Sequence, residues 1–202
     1  TIAGTGYTFV NVLGDSVLGA RPGDVIANGT GGQALVFETG GNFAYYAGRL
    51  STTGTVAVSG SSGTDILVND FEIFGAVQLG GGNDVLLVNP GAKFSAGANG
   101  GAGTDTLLVS TGFSADPVNF TNSTLNTTAF TSFENFRVVG DGFLTIQGTL
   151  DVPAVDISGK RIILVSEITG KVTIKDGGML TGFGRGGDLD PESSGLVIEK
   201  GG

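Results

Sequence analysis

Histidine, cysteine and tryptophan are absent from this 202-residue chain, and methionine occurs once. Without His or Cys, neither Ser-His-Asp nor Cys-His catalysis is available, and there is no disulfide framework and no Cys metal site. Basic residues are few, 10 against 19 acidic ones, giving a net charge of −9. So acidic a chain argues against nucleic acid, whose binding depends on Lys and Arg neutralising phosphates, and offers nothing to anionic lipid. Divalent cations are the partner class that this charge permits. No apolar run reaches the roughly 18 residues that would read as a membrane-spanning helix. Helical periodicity is missing too: no useful stretch has apolar residues at i, i+3, i+4 and i+7.

What is abundant is glycine. It supplies 38 residues against only 5 prolines, nearly three times the usual share of about 7%. No strict every-third-residue glycine makes it collagen. With 40% apolar and 14% charged residues, the chain does not have the composition of a disordered segment. Glycine, Val, Thr, Leu and Phe with few charges suit short strands joined by tight corners.

Three copies of one corner carry the most information. They read Gly60-Ser61-Ser62-Gly63-Thr64-Asp65-Ile66-Leu67, Leu79-Gly80-Gly81-Gly82-Asn83-Asp84-Val85-Leu86 and Gly100-Gly101-Ala102-Gly103-Thr104-Asp105-Thr106-Leu107. Their aspartates stand 19 and then 21 residues apart, a spacing that marks a repeat architecture. Each copy is a glycine turn, one Asp, then an apolar run that must bury a face. Corner-then-strand at this interval predicts an all-β solenoid of stacked coils of about 20 residues.

The same grammar runs through 1–202 as a single solenoid region. Gly/Asp-corner coils occupy 1–147, with a longer loop near 110–131 that interrupts the rhythm and holds the polar run Asn122-Ser123-Thr124-Leu125-Asn126-Thr127-Thr128. Loops on a rigid scaffold are where binding tends to live, so this loop is the first candidate for a recognition surface, beside the plainer reading of an insertion. From 148 to 202 the coils continue with a different corner, and seven of the ten basic residues lie after Phe136. Phe71-Glu72-Ile73-Phe74 and Phe133-Glu134-Asn135-Phe136 share a Phe-Glu-x-Phe pattern. Aromatics dominate core burial, so these phenylalanines are expected to stack inside successive coils. The start at Thr1 and the end at Gly201-Gly202 read as a piece of a longer chain.

Gly100 to Val109, then Phe130-Thr131-Ser132-Phe133-Glu134-Asn135-Phe136, Gly142-Phe143-Leu144-Thr145-Ile146-Gln147-Gly148 and Val172 to Gly184 together resemble the passenger region of bacterial autotransporters. The resemblance covers roughly residues 60 to 202; residues 1 to 59 fit it by composition alone. It departs at Phe143-Leu144, where the family often has Trp. Such passengers are right-handed parallel β-helices secreted through a C-terminal β-barrel. The resemblance therefore implies a surface-exposed or shed virulence protein tethered to the outer membrane. It also implies an adhesin or self-association module that meets a host-cell or bacterial surface ligand. A stalk that presents another domain is the alternative, and a polysaccharide-acting β-helix enzyme is a third.

The corners also match the RTX nonapeptide Gly-Gly-x-Gly-x-Asp-x-apolar-x, a calcium-binding turn. Gly100 to Leu108 matches fully, whereas Leu79 and Ser61 replace glycines in the other copies. Calcium takes six to eight oxygens from carboxylates and carbonyls. The candidate ligands are Asp65, Asp84 and Asp105 in one column, with carbonyls of Gly80, Gly82, Gly101 and Gly103 alongside. RTX repeats, however, run at nine residues, and here one corner per coil carries the motif. The other reading is that each Asp accepts hydrogen bonds from backbone amides of its own turn. No catalytic residue is assigned. The same aspartates are the clearest carboxylates for glycoside chemistry, but nothing fixes the separation such a pair needs.

Overall fold

The structure, a computed structural model of the chain, describes residues 25–27, 32–37, 41–46, 48–111, 122–140, 143–148, 152–158, 161–164, 167–168, 171–175, 178–182, 188–189 and 196–198. The chain is a parallel β-solenoid. A strand pairs not with its sequence neighbour but with its counterpart one coil along. Parallel pairing needs a crossover of about a dozen residues or more, and here the crossover is the rest of the coil. Two compact units are distinguished, Thr1–Asp105 and Thr106–Gly202.

In the first unit one coil runs Asp65–Asn69, Glu72–Gln78 and Gly81–Gly82 before the next begins at Val85–Val88. Each strand lies on a different sheet. Asn42–Tyr46, Asp65–Asn69 and Val85–Val88 form the first, in register Ala44↔Leu67↔Leu86. Arg49–Ser59, Glu72–Gln78 and Ala98–Asn99 belong to the second, in register Val58↔Val77↔Ala98. Gly81–Gly82 and Ala102–Gly103 form a short third. Because side chains alternate across a strand, one residue in two points inward. Matching positions in successive coils then bury like against like: Ala44, Leu67 and Leu86, Leu50 and Ile73, and Val58, Val77 and Ala98 are all buried. Burying one such side chain is worth about 1.5–3 kcal/mol.

The second unit repeats the arrangement. Thr106–Ser110, Asn135–Val139, Ala154–Ser158, Lys171–Lys175 and Leu196–Ile198 make one parallel sheet, in register Leu107↔Phe136↔Val155↔Val172↔Leu196. Asn122–Asn126, Phe143–Gln147, Arg161–Leu164 and Met179–Gly182 make another. Parallel coils thus continue after 148. The segment expected to loop out at 110–131 divides. Residues 112–121 lie outside the described residues, but 122–126 is a strand paired with Phe143–Gln147. Thr127–Ala129 is a 3-10 turn, the one helical element among the described residues. None of them forms a helix long and apolar enough to cross a membrane.

The two Phe-Glu-x-Phe segments differ. Phe133 and Phe136 are both buried, as expected. In the first copy Ile73 takes the inward position, Phe71 is half-buried, and Phe74 is 43% exposed with the Arg49 guanidinium 5.5 Å from its ring centre. The motif is shared, but the strand register is not.

Candidate functional site

The three corner aspartates come together as one column on the inside of the first unit, each with 0% of its surface exposed. The column arises because each of these aspartates stands where a corner meets a strand, and its backbone amide must still find an acceptor. The Asp of the following coil supplies it. The Asp65 amide donates to Asp84 Oδ1 at 2.7 Å across 19 residues, and the Asp84 amide donates to Asp105 Oδ1 at 2.7 Å across 21. Asp65 completes the pattern by accepting from the Asn42 amide at 3.1 Å and from Asn42 Nδ2 at 2.7 Å, across 23 residues.

Asn42 is the member that the Asp spacing does not reveal. The signal was present in Gly40-Gly41-Asn42-Phe43, a glycine pair, a short polar residue and an apolar run. Its register partner is Asp65. A second ladder runs beside the first in the opposite sense. The Asn83 amide donates to Thr64 Oγ1 at 3.4 Å, and the Thr104 amide donates to Asn83 Oδ1 at 2.9 Å. Inner side chains reach back one coil and outer ones reach forward, so adjacent coils are clipped in both directions.

The glycines at the candidate positions do a different job. Gly80, Gly82, Gly101 and Gly103 all lie at positive φ, and they bring backbone against backbone. Gly80 O accepts from the Ala102 amide at 2.9 Å, and Ser61 O accepts from the Gly81 amide at 2.9 Å. A Cβ on Gly103 would overlap the carbonyl oxygen of Gly82.

These residues are therefore neighbours, but they do not gather round one point. Each Oδ1 is spent on an amide of the preceding coil, and Gly80 O is spent within the ladder. Among the described residues no group of three or more acidic side chains is placed to hold a metal ion. The arrangement does not fit the six-to-eight-oxygen shell that calcium takes. Carboxylates buried to this degree are also out of reach of a polysaccharide chain. At the first corner the turn's own amide contributes as well: Ser61 N donates to Asp65 Oδ2 at 2.6 Å.

Asp84 lacks that fourth-residue donor. Gly80 stands four residues before it, as Ser61 stands before Asp65, and Asp84 Oδ2 is buried with no hydrogen-bond partner. Burial is the main cause that pushes the Asp84 carboxyl up to about 7; the Asp65 amide opposes it, and the like charges of Asp105 and Asp65 add to it. An unfolded Asp titrates near 3.8. Below that value both states hold the proton, and the stabilisation is complete. As pH rises towards about 7 the unfolded chain gives the proton up first, so stability falls across the window. The melting midpoint is therefore expected to drop by several degrees over that range. In Asp84→Asn, which keeps the acceptor and removes the charge, thermal melts are expected to show a much flatter pH profile.

Comparison with protein-family models, with curated proteins and with solved structures finds no match for this chain.

Proposed function

We propose that the chain is an extracellular passenger segment of a bacterial autotransporter, acting as a surface adhesin or self-association module. The observation that carries this reading is the stack of parallel coils. Outward positions of successive strands line up into rows, so an extended face repeats its side chains as solenoid binding surfaces do. One such row is Arg49, Glu72 and Lys93, in register across three strands. Glu72 lies 3.6 Å from the Arg49 guanidinium and 3.1 Å from the Lys93 ammonium, with Phe74 exposed beside them. Lys93 is exposed while Arg49 and Glu72 are half-buried, so the row presents charge of both signs at the surface.

A structural stalk is the second reading, favoured by the inward aspartate column: its polar groups are spent on holding coil to coil. Displaying the chain on a non-aggregating host cell separates the two. Aggregation or attachment that is absent from cells displaying an unrelated solenoid supports the adhesin. Display that leaves the cells dispersed and non-adherent favours the stalk.

A further inference from the structure

The polar run at 122–128 contains two tripeptides of the form Asn-x-Thr, Asn122-Ser123-Thr124 and Asn126-Thr127-Thr128. The pattern is an acceptor for sugar transfer to the asparagine amide. By itself it is common and weak, and what matters is how the fold presents it. Asn126 ends the strand Asn122–Asn126 and caps the 3-10 turn Thr127–Ala129 in extended conformation, at φ −88° and ψ 105°. Asn126 and Thr128 are both exposed. Asn126 Oδ1 accepts from the Thr128 amide at 3.2 Å and from the Thr128 hydroxyl at 2.7 Å.

The two side chains that a transferase reads are thus already tied together on the surface. Between them Thr127 is buried and anchored, its hydroxyl donating to Gln147 O at 3.1 Å. On the next coil Gly148 lies beside Asn126 and Thr128 with no side chain of its own to cover them; a Cβ there would press on the Thr128 methyl. Asn126 Nδ2, the atom that reacts, takes no part in these hydrogen bonds, which use Oδ1 alone.

The geometry points to Asn126 as an N-glycosylation site, modified by an asparagine glycosyltransferase with a diphosphate-activated sugar. In the step Asn126 Nδ2 attacks the anomeric carbon and a C–N bond forms. The bond from that carbon to the diphosphate oxygen breaks, and the diphosphate leaves with the electron pair. The amide proton passes to a base of the transferase, and no redox partner is required. The donor is either a soluble nucleoside-diphosphate sugar or a lipid-linked diphosphate sugar. This assignment is independent of whether the chain is an adhesin or a stalk.

The test treats the folded full chain with a transferase specific for Asn-x-Thr, in one arm with a nucleoside-diphosphate hexose and in another with a lipid-diphosphate glycan. A short peptide containing Asn-Thr-Thr is the positive control in each. Peptide mapping by mass spectrometry is expected to find sugar on Asn126 in at least one arm, and the arm identifies the donor class. Thr128→Ser keeps the modification, whereas Thr128→Val, which preserves shape and removes the hydroxyl, lowers it at least tenfold. Modification of the control peptide with none on Asn126 in either arm overturns the assignment, as does equal modification of Thr128→Val.

Discussion

Replacing Gly103 with alanine is expected to cost at least about 4 kcal/mol, combining a backbone conformation that is nearly glycine-only with a direct steric overlap. Gly103 sits at φ +140°, and the missing Cβ is what lets its backbone lie against the Gly82 carbonyl of the coil before. The neighbour here is backbone in a paired strand, so neither side can yield without opening the ladder. A domain stable by about 5–15 kcal/mol loses much of its margin to such a change. Gly91 provides the comparison. It has φ +86° but nothing within 4 Å of a built Cβ, so Gly91→Ala carries the conformational cost alone, about 1–2 kcal/mol. Denaturant titration of both variants checks the contrast, and equal costs would show that the coils are not packed backbone to backbone at Gly103.

Phe136→Ala is expected to cost about 3–5 kcal/mol, the usual range for removing a fully buried aromatic. Phe136 is 0% exposed and stands in register between Leu107 and Val155, so its loss leaves a void that two strands bound. Phe74 holds the matching place in the other Phe-Glu-x-Phe segment but faces outward. Phe74→Ala forfeits a surface contact with Arg49 worth about 0.5–1 kcal/mol. Chemical denaturation of the two variants side by side reads the difference directly.

These two pairs show what the sequence discloses and what it hides. Glycine turns 19 and 21 residues apart, each followed by an apolar run, are enough to foretell stacked parallel coils. The reason is physical: an apolar strand with a short period must be covered by its own copies. The direction of Phe74 was not legible, because a strand's inward face depends on a register that a one-residue shift inverts. The strand at Asn122–Asn126 was hidden for a related reason. Its one buried apolar residue, Leu125, is surrounded by Asn, Ser and Thr, so its composition reads as loop while its pairing makes it strand.

The aspartates were legible as a column but not in their role. A Gly-rich turn with one Asp has the composition of a calcium turn and of a backbone cap alike. The choice depends on whether oxygens converge or each faces an amide. Asn42 illustrates the point: it stands in the column and caps the carboxylate of Asp65 from the coil before. Each carboxylate holds the amide of the coil before it.

Backbone hydrogen exchange on Asp105→Ala, measured once with calcium and once with excess chelator, tests this ladder of carboxylates and amides. Removing Asp105 takes away the acceptor of the Asp84 amide and leaves the bond from the Asp65 amide to Asp84 in place. The predicted result is a selective loss of protection at the Asp84 amide relative to Leu86. The Asp65 amide stays protected, Asp105→Asn restores the Asp84 amide, and calcium makes no difference. Unchanged protection at the Asp84 amide, or a loss that appears only when calcium is withdrawn, would contradict it.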